Sequence, residues 1–475
     1  MRKHRRRRSR VLGVIVLIWL ASALWQAFKP LPAGLGVEGP WRPAIDAAFL
    51  ADETWVDAQG VRASRQAIFD AAFAMVAQAQ RLVVLDMFLF NDFGGSALRP
   101  LSGELTDVLI ARKAVVPDLR IVVVTDPINT VYGGLHAPQL ERLRAAGAEV
   151  VITDLSVLRA SNPLWSGPWT LCCAWLGNTA GGGWLPNPFG AGEIGLRSWL
   201  ALPNFRANHR KTLVVDHGDG WQALVTSANP HDASSAHGNI ALRFDGDAAL
   251  DLVASEAAVA AFSGTPLAEL PAAPAASAVP ADARLRILTE GAIGRALVRS
   301  IAAARAGEAL DVAVFYLADR DVVTALKEAQ ARGVVLRVLL DPNEDAFGRK
   351  KNGVPNRQVA RELLGAGVAV RWCDTHGEQC HAKLLLHRGA NGAALIVGSA
   401  NFTRRNLDDL NLETSVELAA PAGHAAIVDA AHWFERQWHN EPDRRFSVGH
   451  ERYADDGVLR RLWYRVGEAF GLSTW

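Results

Sequence analysis

The chain has 475 residues, 50% of them hydrophobic and 21% charged. That is too long for one ordinary core and too apolar for a disordered chain, so two domains or two fused halves are expected. The formal net charge of +1 hides an asymmetry, because residues 1–10 (MRKHRRRRSR) carry seven Arg or Lys and no acid. The remainder holds 43 basic and 49 acidic residues, a net of −6. A slightly acidic body is a poor general binder of nucleic acid, whose recognition runs on neutralising phosphates. Four cysteines exclude a disulfide-built scaffold. Cys172 and Cys173 are adjacent and poor partners for each other, whereas Cys373 and Cys380 could pair in an oxidising compartment.

Directly after the basic segment comes VLGVIVLIWLASALWQAF, residues 11–28, with no charge and one polar amide, Gln26. About 18 to 20 apolar residues cross a bilayer as a helix. The basic flank should stay cytoplasmic, which sends the body to the exported side, as a single-pass anchor in the cell (inner) membrane. Ala21-Ser22-Ala23 also resembles a signal-peptidase site, and cleavage there would export the body as well.

The chain is then written twice. The first copy reads as a helix over RASRQAIFDAAFAMVAQAQ, a buried strand RLVVLDMFLF, a strand LRIVVVTDPIN (119–129) and a helix PQLERLRAAGAEVVI leading into a strand at 149–153. The second runs IGRALVRSIAAARAGEA, LDVAVFYLAD, the helix TALKEAQARG, VVLRVLLDPNED and the helix RQVARELLGAGVAVRW. Both copies place Asp-Pro after the same strand, at Asp126-Pro127 and Asp341-Pro342. Short apolar runs alternating with amphipathic helices argue for an α/β fold with a largely parallel or mixed sheet, whose ligands gather beyond the carboxyl ends of the strands. The Ala/Pro-rich stretch 264–283 reads as the linker between a lobe at 40–263 and a lobe at 284–440.

Each copy reaches a histidine followed two residues later by a lysine: NHRKTLVVD with His209, Lys211 and Asp216, and CHAKLLLHR with His381 and Lys383. On a strand, residues i and i+2 share a face, so each His stands beside its Lys. A small-residue turn ending in Asn follows each, with Ser227 and Asn229 in the first and Ser399 and Asn401 in the second. Two lysines, two amides and two hydroxyls suit the oxygens of a phosphodiester, with one imidazole attacking phosphorus and the other protonating the leaving alcohol. No metal or cofactor is required, because the lysines supply positive charge. Asp126 and Asp341 read as residues that fix local turns. A zinc site from Cys373, His376, Cys380 and His381 has suitable ligand types but follows none of the usual spacings.

The doubled HxKxxxxD followed by (G/S)SxN resembles the phospholipase D superfamily, and NHRKTLVVD is most like its cardiolipin-synthase branch. The resemblance spans residues 60–440. It implies two similar lobes of mixed β-sheet flanked by helices, related by a pseudo-twofold axis, in addition to the N-terminal transmembrane helix. The active site would lie between the lobes, and a phosphohistidine would form during turnover. Two departures stand out. Arg388 occupies the place of the second motif's Asp, and Asn239 (HGNIALRF) stands where an acidic residue orienting the first histidine would be. In the second copy, Glu413 of NLETSVEL matches that acidic residue and is expected to orient His381. His209 is the expected nucleophile and His381 the general acid/base.

Asp-Pro and histidine are 83 residues apart in the first copy and 40 in the second. The difference is an insert at 156–200 that holds five of the fifteen tryptophans, with Gly and Pro and little charge. Tryptophan favours the bilayer interface, so the insert reads as a wall or lid dipping into lipid, with a packed cover as the competing reading. In the tail 441–475, Leu459, Leu462, Trp463, Val466 and Phe470 fall on one helical face, which suits an interfacial helix or one packed on the body. The expected partners are a phospholipid membrane and an alcohol or water acceptor, without nucleic acid. A phosphodiesterase on nucleic acid and an inactive lipid-binding scaffold are the alternatives.

Overall fold

The computed structural model describes residues 2–93, 98–275, 281–346, 349–455 and 457–470. Helix α1 (Arg2–Phe28) continues the apolar stretch back into the basic flank and stops before Lys29-Pro30, where proline cannot extend it. Arg8–Phe28 is long and apolar enough to cross a membrane. Residues 8–20 stand exposed, and the last turns of the helix meet the body.

The first half contributes β1 (Arg42–Pro43), β2 (Ile45–Asp57), β3 (Arg62–Arg65), α2 (Ile68–Gln78), β4 (Leu82–Met87), α3 (Leu101–Val115), β5 (Arg120–Thr125), α4 (Pro138–Ala145) and β6 (Glu149–Ile152). The insert holds α5 (Pro163–Cys172), the small hairpin β7 (Leu185–Pro186) and β8 (Glu193–Ile194), and α6 (Leu196–Ala201). Then come β9 (Lys211–His217), β10 (Gly220–Thr226), β11 (Asn239–Asp245) and α7 (Ala248–Phe262). The helix expected to begin at residue 62 begins at Ile68, because Arg62–Arg65 pairs with β2 instead. The Asp52 carboxylate, on β2, caps α2 by accepting the N–H groups of Ala67 (2.7 Å) and Ile68 (3.0 Å).

The second half runs β12 (Arg284–Thr289), α8 (Gly291–Ala303), β13 (Ala309–Val314), α9 (Arg320–Ala331), β14 (Val335–Leu340), the short β15 (Asp345–Ala346) and β16 (Arg349–Lys350), α10 (Asn356–Gly365), β17 (Ala369–Cys373), β18 (Lys383–Gly389), β19 (Gly392–Gly398), α11 (Arg404–Leu407), β20 (Thr414–Ala420) and α12 (Ala425–His439). The tail adds β21 (Arg444–Arg445), β22 (Ser447–Gly449) and α13 (Val458–Phe470).

The two nine-stranded sheets share one strand order. β2-β11-β10-β9-β4-β5-β6 in the first corresponds to β12-β20-β19-β18-β13-β14-β17 in the second. In each, three strands are parallel and the rest antiparallel. Side chains alternate as a pleat demands. Val83, Leu85 and Met87 of β4 join the core under α2 and α3, while Leu82 and Val84 join the central core shared by both sheets. That central core includes Leu285, Leu384 and Leu395 from the second sheet and residues of α7 and α12. The second sheet's outer face is covered by α8, α9 and α10.

The ends of the chain cross between the halves. β1 pairs with β12 of the second sheet, and β21 pairs with β2 of the first immediately before β22 pairs with β17 of the second. Residues 444–449 therefore strap the two sheets together ahead of α13.

Candidate active site

The site forms where the two sheets meet, and the histidines reach it in the same way. Lys211 and Lys383 open β9 and β18, each with its histidine just ahead of the strand. Each ammonium donates to the carbonyl of its own histidine at 2.7 Å. Each also lies over a phenylalanine ring, Lys211 over Phe88 at 5.1 Å and Lys383 over Phe315 at 5.4 Å. The same rings pack on the imidazoles, with centroids 4.8 Å apart for Phe88 and His209 and 5.2 Å for Phe315 and His381. These phenylalanines were not singled out from the sequence. Their signal was there, since each follows the last residue of the corresponding strand, β4 or β13.

Each histidine is held by the opposite half. The His209 N–H donates to the Leu412 carbonyl at 2.9 Å, and its Nδ1 lies 2.9 and 3.1 Å from the two Glu413 oxygens. The His381 N–H donates to the Gly238 carbonyl at 2.7 Å, and its Nδ1 lies 3.2 Å from Asn239 Oδ1. This corrects the sequence expectation for Glu413. The carboxylate serves His209, and the amide serves His381. Glu413 immediately precedes β20 and Asn239 opens β11; β10 and β11 pack on β19 and β20 where the sheets meet, so each side chain reaches across.

The serines brace these partners. The Ser399 hydroxyl donates to the Glu413 carboxylate and accepts the Thr414 N–H at 3.0 Å. Ser227 lies 3.3 Å from Asn239 Oδ1 and accepts the Ile240 N–H at 3.0 Å. Asn406 Nδ2 also donates to Glu413. Asn229 Oδ1 accepts the Leu89 N–H at 3.2 Å. Asn401 is buried, and its Oδ1 has no partner among the described residues, an uncommitted polar group at the site.

Asp126 and Asp341 do more than fix turns. Asp126 accepts the N–H groups of Ile128 and Asn208, both at 2.7 Å; Asp341 accepts those of Asn343 (2.7 Å) and Cys380 (2.8 Å). Each thereby fastens the residue just before a histidine. Burial pushes both carboxyls up to about 7. Asp216, by contrast, is not brought to the site. It lies towards the far end of β9, about 16 Å along the strand from Lys211 at ~3.3 Å per residue, and accepts the N–H groups of Gln80, Arg81 and Leu82. Arg388, at the matching place on β18, bonds Asp311 at 2.8 Å. The exchange of Asp for Arg thus changes a strand anchor remote from the histidines.

The electrostatics of the site are set by burial of its imidazoles and ammonium groups. Burial, with Lys211 and Lys383 adding to it, lowers His209 to about 4 against the pull of Glu413. Burial also drives His381 well below the usual imidazole range, with Lys383, His237, Lys211 and His209 contributing. Lys211 is lowered to about 7 by burial, and Lys383 falls well below its ordinary range by burial and the nearby Lys211. Glu413 is held below the carboxylate range, because His209, Lys211 and the Ser399 hydroxyl outweigh its burial. Glu413 is therefore anionic beside a neutral His209, whose Nδ1–H faces the carboxylate and whose Nε2 keeps its lone pair. A bound anion would favour the charged forms of both lysines and of His381.

A third imidazole was missed from the sequence. His237 Nδ1 accepts the Gln379 N–H at 3.2 Å, and its ring centroid lies 6.0 Å from that of His381. Burial keeps it neutral down to about 3.

The cysteines differ from expectation in one respect. Cys373 and Cys380 form a disulfide, which removes both sulfurs from any zinc site. Cys172 and Cys173, read as poor partners, are also joined, with Cα atoms 3.7 Å apart. Cys173 leaves α5 at φ −139°, so the backbone turns out of the helix between the two residues.

The second half, residues 297–438, matches the family model described as cardiolipin synthase, PLD-like domain. That match makes the second half a phospholipase D-like domain. Among solved structures the chain is similar to the phosphatidylserine synthase of Haemophilus influenzae Rd KW20, with a TM-score of 0.58 at 8% identity over 91% of this chain and 95% of that one. It also matches Nuc, a phospholipase D family member from Salmonella typhimurium, at 20% identity over 34% of this chain and 99% of that chain, with a TM-score of 0.26. No curated protein matches the chain in sequence. The phospholipase D family model covers one half, and the shared strand order extends the same architecture to the half that carries His209.

Proposed function

We propose that the chain is a phospholipase D superfamily member that transfers a phosphatidyl group between alcohols, or to water, through a phosphohistidine on His209, with cardiolipin formation from phosphatidylglycerol as its sharpest form. The observation that carries the reading is the crossed support of the two imidazoles: one neutral histidine backed by a carboxylate, one backed by an amide, and two buried lysines beside them.

His209 Nε2 attacks the phosphorus of a phospholipid. The bond from phosphorus to the head-group oxygen breaks, and that oxygen takes a proton from His381 Nε2. Glu413 balances the positive charge that develops on the His209 ring. Lys211, Lys383, Asn229 and Asn401 are the proposed partners of the non-bridging oxygens, and Ser227, Ser399 and Asn239 position the rest. An entering alcohol or water then gives its proton to His381, its oxygen attacks phosphorus, and the phosphorus–nitrogen bond breaks to free His209. Because an amide rather than a carboxylate faces His381, its imidazolium is a stronger acid and gives up its proton readily to a poor leaving group. The body is proposed to lie on the exported side of the cell membrane, since α1 follows seven basic residues.

The test is incubation of the full chain with phosphatidylglycerol vesicles, alongside His209→Ala and His381→Ala. Cardiolipin and glycerol, absent with both variants, support transfer; phosphatidic acid alone makes the protein a hydrolase. Cleavage of oligonucleotides without lipid turnover would replace the lipid reading with a nuclease, and lipid binding without turnover of either would leave a scaffold.

A further inference from the structure

The insert does not stand off the body as a free loop. Its helix α5 lies across the last three turns of α1. The Trp19 indole donates to the Leu164 carbonyl at 2.9 Å, and the Ser22 hydroxyl donates to the Gly167 carbonyl at 3.1 Å. A Cβ on Gly167 would come within 2.8 Å of the Ala23 nitrogen and 3.1 Å of its Cα, so glycine is what lets the two backbones meet. The Leu164 bond has a specific cause. Pro168 sits inside α5 and has no N–H, which orphans the carbonyl four residues earlier. That carbonyl belongs to Leu164, and the indole of α1 satisfies it.

The depth of this contact follows from α1. Residues 19–23 precede Phe28 by five to nine positions, about 8–14 Å at ~1.5 Å per residue. Where α1 crosses a membrane, that is inside one leaflet of a hydrocarbon core about 30 Å thick. Residues 160–192 contain no charged side chain. Leu164 and Leu171, on the helical face of α5 that Gly167 turns to α1, flank that contact and stay 47% and 51% exposed, and Trp175 (72%) and Trp184 (69%) follow the helix. A backbone that enters hydrocarbon must have its polar groups satisfied, and the bond from α1 to Leu164 meets that demand where proline broke the helix. The insert also touches the site. Phe189 packs with Phe88, Leu89 and Ile128, and Phe88 lies on the His209 ring. Arg206, three residues before His209, donates to Gln26 Oε1 of α1 at 2.5 Å.

We propose that α5 is embedded in the membrane leaflet beside α1, with Leu164, Leu171, Trp175 and Trp184 in contact with lipid, so that the active-site mouth opens onto the bilayer rather than onto water. The inference rests on α1 spanning the membrane and does not require the phosphatidyl-transfer reading.

The test uses the full chain in lipid nanodiscs. Its four cysteines are paired, so Leu164→Cys, Trp184→Cys and, as a control, Val115→Cys on α3 each offer one thiol for an environment-sensitive fluorophore. Val115 is exposed as well, at 72%. Labels at 164 and 184 should be quenched several-fold more by lipids brominated along the acyl chain than by aqueous iodide, with the reverse at 115. Gly167→Leu, which wedges α5 from α1, should move the label at 184 towards iodide. Iodide quenching at 164 and 184 equal to that at 115 overturns the proposal. Protection from both quenchers also overturns it, because it means that a second copy or another protein covers the face. A lipid-quenched label with no turnover of phosphatidylglycerol would keep this inference and remove the transfer reading.

Discussion

Glu413→Gln isolates the charge on which the proposed first step depends. The substitution keeps size and shape, and an amide oxygen can still accept from His209 Nδ1, Ser399 or Asn406. What it removes is one negative charge 2.9 Å from the imidazole. At an effective dielectric of ~20, a full charge pair at that distance is worth roughly 6 kcal/mol. A transition state with about half a positive charge on the ring would lose about 3 kcal/mol, on the order of a 100-fold slowing. Single-turnover release of head-group alcohol reads the first step, and rapid-quench capture of acid-labile, base-stable phosphohistidine reads the intermediate. The expected result is slow formation of both, with thermal unfolding within a few degrees of wild type. A variant that forms phosphohistidine at the wild-type rate but releases it slowly would refute the assignment of His209 as nucleophile, and an unchanged rate in both steps would refute the role of the carboxylate altogether.

Asn239→Asp applies the converse perturbation. A carboxylate 3.2 Å from His381 Nδ1 should raise the pKa of that ring by more than about one unit, seen as a shift of the basic limb of the rate profile and of the ring resonances by NMR. Acidification tests the burial of His209. Its folded-state value is about 4 against an ordinary 6.5, so the unfolded chain takes up a proton that the folded chain refuses as pH falls from 6.5 to 4. Stability should decline across that window, and His209→Gln should flatten the decline in thermal denaturation. Cys373→Ser with Cys380→Ser opens an eight-residue loop, which costs about 2 kcal/mol on the chain-entropy account. Because Cys380 precedes His381, activity should fall by more than the loss of folded protein, as checked by comparing specific activity with the calorimetric signal.

Sequence alone determined the elements whose signal is local. The apolar run of α1 is legible because crossing a bilayer sets a length and a composition. The α/β character is legible because periodicity follows from burial on one face or two. The pairs His209–Lys211 and His381–Lys383 stand out because two residues apart on a strand means one face, and because the chain repeats them. Tertiary structure decided what crosses between the halves. Glu413 stands beside His209, 204 residues away, and not beside the histidine of its own copy, because β10 and β11 pack on β19 and β20 where the sheets meet. Asp216 keeps its motif position yet lies away from the site, since it stands five residues of extended strand from Lys211. Phe88 and Phe315 look like ordinary core residues until the chain lays each on an imidazole. The tryptophans of the insert signal an apolar environment by composition. Only the packing of Gly167 on Ala23 and the indole bond to Leu164 fix where that environment is, because close approach of two helices depends on shape that residue types do not encode.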